Sequence, residues 1–208
     1  MITIVDYNAG NLRSVKRACD AVGIESEFTQ DPGRVSRASR LIFPGVGHAK
    51  TAMDTLNATG LADAVREVVK RGDPVLGICV GAQLLLESSE EGPTPAFGLF
   101  PGHTRHLRVA DPRLKVPHIG WNEVRVEQPH PLLAHLDPAG KSELYFVHSY
   151  YLAPSEPRHV FATTEHGQRF CCAFGGDNLF AVQFHPEKSG PLGLELLAKF
   201  ARWEGTSC

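Results

Sequence analysis

A lone cysteine framed by glycines, Gly77-Ile78-Cys79-Val80-Gly81, follows the apolar run Pro74-Val75-Leu76 and precedes Leu84-Leu85-Leu86. The first run reads as a short buried strand and the leucines as the start of a buried helix. Cys79 then occupies the turn between them, where backbone atoms crowd together and glycine is the residue that tolerates it. This is the cysteine form of a nucleophile elbow, a strained strand-to-helix turn that lifts a nucleophile above the end of a sheet. The alternative is a buried cysteine beside two packing glycines.

A cysteine nucleophile needs a base, and the base needs a group to orient it. The stretch Ala181-Val182-Gln183-Phe184-His185-Pro186-Glu187 offers both at the end of a strand-like run. The proline fixes the chain, so that His185 and Glu187 converge on one site. His118 and His148 lack this combination and read as structural or supporting residues. A His-x-Glu pair is also half of a metal site, but there is no HExxH and no Cys/His cluster at ligand spacing. No metal and no cofactor is expected. A third stretch, Pro44-Gly45-Val46-Gly47, reads as a turn at a strand end. Such a turn can aim a backbone N–H at an oxyanion, with the N–H of Val80 as the other donor. Taken singly it is equally a plain tight turn.

These parts need a scaffold whose strand ends meet. "ITIVDY", "IESEF", "RLIFPG" and the elbow strand alternate with helical patterns. Leu12, Val15, Ala18, Cys19 and Val22 form one stripe, stopped by Gly23, and a second helical stretch runs from about Ala49 to Lys70. Strand, helix, strand, helix predicts an α/β fold with an open, mostly parallel central sheet and flanking helices. Ligands gather at the carboxyl ends of such strands, where both the Gly45–Gly47 turn and Cys79 fall. The second half is strand-rich and antiparallel: "HTRHLRV", "WNEVRVE", "ELYFVHSYYL", "HVFATTEH", "FCCAF" and "LFAVQF". Gly175-Gly176-Asp177-Asn178 signals a hairpin between the last two. A final helix has Ser189 as N-cap, Pro191 in its first turn, and a stripe of Leu192, Leu196, Phe200 and Trp203.

At 208 residues the expectation is one domain over residues 1–208. A net charge of −2 gives no basic surface for nucleic acid, and no run reaches the length of a membrane span. The chain enters strand-like sequence without a basic, apolar leader, so a cytoplasmic protein is expected. Five cysteines without CxxC spacing fit reduced thiols. Cys171 and Cys172 read as small packing residues on opposite strand faces, and Cys208 as exposed.

Together "GICVGAQ" and "FHPEKSG" resemble the Cys-His-Glu signature of the class I glutamine amidotransferases. Within that family "IVDYNAGNLRSV", "FPGVG", "ESSEEG", "KVPHIGWN" and "YFVHSY" resemble glutaminase subunits that feed ammonia to a cyclase in histidine biosynthesis. The likeness spans about residues 2 to 200. Asn8 departs from the family's usual glycine and Ala82 from a frequent methionine. The resemblance implies Cys79 as nucleophile, His185 as base and Glu187 as its orienting carboxylate. It implies an oxyanion hole at Val80, Val46 and Gly47, and glutamine binding by Gly47, Gln83, Glu91, Ser149 and Tyr150. It also implies a separate (β/α)8-barrel cyclase partner, contacted by Trp121, Tyr145 and Lys188, with Trp121 the strongest anchor by residue type. Three rival readings stay open at this point. One is a glutaminase of another pathway, such as pyridoxal phosphate synthesis; another is a cysteine peptidase or chaperone-like protein on a related elbow; the third is a non-catalytic regulatory module on the same fold.

Overall fold

The computed structural model describes residues 1–8 and 10–205. Its first half alternates as the sequence predicts: β1 (Ile2–Val5), α1 (Leu12–Ala21), β2 (Ser26–Thr29), α2 (Pro32–Ser36) and β3 (Leu41–Gly45). After these come α3 (Ala49–Ala58), α4 (Leu61–Arg71), β4 (Val75–Cys79) and α5 (Val80–Leu84). Two short strands, β5 (Ser88–Ser89) and β6 (Thr94–Pro95), lead into β7 (Gly102–His106), β8 (His118–Val126), β9 (Ser142–His148) and β10 (Tyr150–Pro154). The chain then runs through β11 (Val160–Glu165), β12 (Arg169–Gly176) and β13 (Leu179–Val182) into α6 (Gly190–Phe200).

The central sheet has the order β2-β1-β3-β4-β13 and is parallel throughout. Strands β1, β3, β4 and β13 are buried at every position, which is why they read as continuous apolar runs. From β13 the sheet continues antiparallel through β12, β10 and β7. A branch runs from β12 to β11, β8 and β9. The β12–β13 hairpin turns at Asp177-Asn178, with Asp177 at φ 47°. Among the described residues no helix is long and apolar enough to cross a membrane.

Several local expectations need correction. The helical stretch from Ala49 to Lys70 is two helices, because Thr59-Gly60 breaks it with Gly60 at φ 75°. The elbow helix begins at Val80 and ends at Leu84, so Leu85 and Leu86 follow it. The short α2, capped by the Asp31 carboxylate accepting the Gly33 N–H at 2.8 Å, was not predicted. "ELYFVHSYYL" is two strands separated at Ser149. Ser189 precedes α6 but its side chain makes no capping bond. Cys171 and Cys172 are both buried, and Cys208 lies outside the described residues.

Three histidines are folded into this half as neutral rings. The carbonyl of Tyr150 can only accept, so His148 Nδ1 donates to it at 2.8 Å. His148 Nε2 then accepts from His118 Nδ1 at 3.0 Å, and His118 Nε2 accepts from Asn122 Nδ2 at 3.2 Å. His130 Nδ1 accepts the Leu132 N–H at 3.2 Å while its ring stacks on Phe180. Burial pushes His118 and His130 down to about 4 and His148 to about 3.

In the unfolded chain each takes its proton near pH 6.5, so unfolding binds protons throughout the interval below that. The stability contributed is complete above about pH 6.5 and drains as pH falls toward the folded values. We therefore expect the urea midpoint to fall steadily between about pH 6.5 and about pH 4.5, by up to ~1.4 kcal/mol per pH unit for each histidine that stays neutral. A midpoint that is flat over that interval would mean the three rings are protonated in the fold.

Candidate active site

Cys79 ends β4 at φ 54° and ψ −113°, a conformation that residues with a Cβ seldom adopt. The neighbouring chain is what holds it there. Cys79 pairs in register with Gly45 of β3, so the Gly45–Gly47 turn runs directly beside the elbow. A Cβ on Gly81 would stand 1.9 Å from the Phe43 carbonyl oxygen, and one on Gly45 would stand 2.6 Å from the Gly81 nitrogen. Only glycine at both positions permits this approach.

His185 leaves β13 and is pinned from both sides. Its N–H donates to the Tyr145 carbonyl at 2.9 Å, and its own carbonyl accepts the Ser189 hydroxyl at 2.7 Å. The same Ser189 oxygen accepts the Tyr145 N–H at 2.9 Å. Ser189 is thus a brace between the β9 strand and the turn, which explains why it does not cap α6. The single turn Pro186–Lys188 carries Glu187 back so that its Oε1 accepts from His185 Nδ1 at 2.7 Å. Both side chains are 1% exposed.

With Nδ1 committed to the carboxylate, His185 Nε2 is buried without a hydrogen-bond partner and is left for Cys79. Burial alone would push the imidazole down. The Cys79 sulfur and the Glu187 carboxylate outweigh it and hold His185 up at about 10. The sulfur itself receives an N–H from Gln183 Nε2 at 3.7 Å. Such a pair places a proton acceptor beside the sulfur, the arrangement a cysteine nucleophile requires.

The site opens into a cavity of about 360 Å³ lined by Cys79, His185, Val46, Gly47, Val80, Gln83, Glu91, Ser149 and Tyr150, with Lys188 at its edge. Gln83 Nε2 donates to the Tyr150 carbonyl at 3.0 Å and to Gln183 Oε1 at 3.2 Å, fixing the floor. Glu91 is no loosely solvated loop carboxylate: its Oε2 accepts the Ala49 N–H at 2.6 Å, at the positive end of α3. Trp121 and Tyr145 do not line the cavity. They are cross-strand partners on β8 and β9, with rings 6.1 Å apart, and Lys188 Nζ lies 5.7 Å over the Tyr145 ring. Trp121 is 52% exposed and nearby Ile119 62%. Sequence reading missed Gln183, hidden in an apolar run, the bracing role of Ser189, and Asn11, whose Nδ2 donates to Glu187 Oε1 at 2.6 Å.

A cysteine on a strained elbow and a histidine held by a carboxylate thus meet at the end of a parallel sheet, the arrangement that a thiol nucleophile and its base require. The model of the glutamine amidotransferase class-I family matches residues 3–202. Relatives described as imidazole glycerol phosphate synthase subunit HisH include that of Desulfovibrio desulfuricans, 49% identical over 96% of this chain and 93% of the relative. Those of Moorella thermoacetica (48%, covering 96% and 93%) and Chromobacterium violaceum (45%, covering 98% of each) are similar in the same way. In fold the chain is similar to a solved glutamine amidotransferase, with a TM-score of 0.74, 20% identity, and 98% and 100% of the two chains covered. It is also similar to PurLQS from Thermotoga maritima, with a TM-score of 0.70, 18% identity and 97% of each chain covered. The chain therefore belongs to the class I glutamine amidotransferases, and within them to the family of the HisH subunits.

The tight approach at the elbow makes a direct test. Gly81→Ala must push the elbow away from β3 and is expected to lower stability by about 1–3 kcal/mol, the usual cost of overpacking. Thermal unfolding and the rate of Cys79 alkylation measure it. An unchanged midpoint with unchanged alkylation would show that the elbow does not depend on this contact.

Proposed function

We propose that this chain, acting as one amidotransferase domain, is the glutaminase subunit of an imidazole glycerol phosphate synthase. It hydrolyses glutamine and passes the ammonia to a separate cyclase subunit. The observation that carries the reading is the unpartnered His185 Nε2 facing Cys79, with Nδ1 fixed to Glu187, beside a cavity of about 360 Å³. The names and the 45–49% identity of its relatives support the pathway over pyridoxal phosphate synthesis.

In the proposed reaction the Cys79 thiol gives its proton to His185 Nε2, and the sulfur attacks the side-chain carbonyl carbon of glutamine. The oxyanion is met by the Val80 N–H and by the backbone at Val46 or Gly47. His185 then returns the proton to the amide nitrogen, the C–N bond breaks, and ammonia leaves a glutamyl thioester. Water, deprotonated by the same nitrogen, attacks the thioester; the C–S bond breaks, His185 Nε2 gives that proton to the departing sulfur, and glutamate leaves. Glu187 holds the tautomer and offsets the charge on the imidazolium. Glu91 is the proposed partner of the substrate ammonium, while Gly47, Gln83, Ser149 and Tyr150 shape the rest of the pocket.

Ammonia is largely protonated in neutral water and then no longer a nucleophile, so the product must reach its acceptor without crossing bulk solvent. The cyclase partner, proposed to be a (β/α)8 barrel, would seat on Trp121, Tyr145 and Lys188, a patch that runs from the cavity edge to exposed Ile119. Four described cysteines are free and buried, consistent with a reducing, cytoplasmic setting.

Two measurements test the assignment. In the two-subunit complex, Cys79→Ser is expected to abolish glutamine-dependent synthesis and to leave synthesis from ammonium salts intact. Loss of both would make Cys79 structural. Steady-state hydrolysis by the chain alone is expected to run about 10²–10³-fold below that of the complex with nucleotide bound, the effect of one missing oxyanion donor. Equal rates would mean that the donor at Val46 or Gly47 is already in place.

A further inference from the structure

Asn11 stands where a helix start places its capping residue, yet its side chain caps nothing. It precedes α1 at φ 62° and ψ 1°, and makes no side-chain bond to the first turn of that helix. An asparagine there normally turns its side-chain oxygen onto the next exposed N–H groups. Here the amide points the other way, and Nδ2 donates to Glu187 Oε1 across 176 residues of sequence. Asn8 and Gly10 also sit at positive φ, 64° and 63°, so the approach to α1 is tightly curled at the point where this donor is presented. Local helix stability has been set aside for one contact with a buried carboxylate.

That carboxylate is asymmetrically held. Oε1 receives both His185 Nδ1 at 2.7 Å and Asn11 Nδ2 at 2.6 Å, while Oε2 is buried and has no partner. A small cavity of about 310 Å³ lies behind Glu187, bordered by Ser14, Arg17 and Gly190. Arg17 is exposed there, with Nη2 on the Ser14 hydroxyl at 3.2 Å. Rotation of the carboxylate toward that guanidinium would satisfy the bare oxygen and loosen the bond to His185. The other titratable groups around the pair are Cys79 from β4, Cys19 from α1, His148 from β9 and the adjacent Lys188.

Resting on the glutaminase reading above, we propose that Asn11 is a positioning residue of the triad. Its neutral donor fixes the rotation of Glu187, keeps Oε1 on His185 Nδ1 and holds the carboxylate off Arg17. It touches neither substrate nor reacting atoms and acts only through Glu187. A neutral donor does this without competing for the charge that supports the imidazolium, which a lysine or arginine in its place would do.

The test is glutamine hydrolysis as a function of pH by the two-subunit complex, for wild type, Asn11→Ala, Asn11→Asp and Cys79→Ser. Asn11→Ala is expected to lower kcat about 10-fold with KM within about twofold, the signature of a lost transition-state interaction. It should also move the alkaline limb of the kcat profile to lower pH, since a rotated carboxylate supports the imidazolium less. Asn11→Asp keeps the side-chain size but adds a second negative charge, and should shift the same limb to higher pH while also slowing turnover. Opposite shifts of this kind are not produced by a structural defect. Wild-type kcat and profile in Asn11→Ala would overturn the proposal. So would a loss of rate with unchanged profiles and a matching fall in thermal midpoint. Activity in Cys79→Ser would instead overturn the glutaminase reading itself.

Discussion

The approach of the β3 end to the turn after β4 is the constraint on which the rest of this protein depends. Two backbones meet there closer than any Cβ allows, with Gly45 against the Gly81 nitrogen and Gly81 against the Phe43 carbonyl. The conformation of Cys79 is costly for a residue with a side chain and persists only because its surroundings over-determine it. Those surroundings are the parallel strands β3, β4 and β13, buried at every position, and a five-residue helix that starts immediately after the cysteine. The same contact sets the Gly45–Gly47 turn directly beside Cys79. The elbow and the turn are therefore positioned by a single packing problem.

The electrostatics follow from dryness. His185 and Glu187 are withdrawn from water almost completely, a setting that by itself favours a neutral imidazole. The ring is held up instead because the Cys79 sulfur and the Glu187 carboxylate both favour its charged form. The histidines nearest in kind, His118 and His148, go the other way. They lack a carboxylate, donate and accept along a fixed line from Asn122 to the Tyr150 carbonyl, and are pushed down to about 4 and about 3. One fold thus holds buried imidazoles of opposite charge preference, separated by what lies within hydrogen-bond reach of each.

How much of this was legible depended on how local its cause is. The elbow, the hairpin at Asp177-Asn178 and the His185-Pro186-Glu187 turn are short-range devices, and their residues announce them. The parallel order was legible because strands buried on both faces read as unbroken apolar runs. What the sequence concealed is set at long range or has a competing local explanation. Asn11 before a helical stripe already makes sense as a cap, and Ser189 before α6 does too, so neither prompts a search for another role. Gln183 is a polar residue with no period to betray it, fully buried beside Gln83 and Cys79. The break at Thr59-Gly60 escaped because the apolar stripes of α3 and α4 run on in nearly the same register.

The strand that carries Tyr145 and the His185–Glu187 pair are joined by very few bonds, and this bears on why the two lie side by side. Tyr145 accepts the His185 N–H through its carbonyl and donates its own N–H to Ser189, which in turn holds the His185 carbonyl. Across the hairpin its ring meets Trp121, and above it lies Lys188, the residue after Glu187. The exposed aromatic face therefore shares a strand with the backbone that fixes the base. A protein that only hydrolysed glutamine would gain nothing from hanging its histidine on an edge exposed to solvent, since a fully enclosed strand would hold it as well. In the proposed assembly that edge is covered by another chain, and a cover seated on Trp121 and Tyr145 would steady the strand that holds His185. Assembly and the placement of the proposed base then draw on one surface.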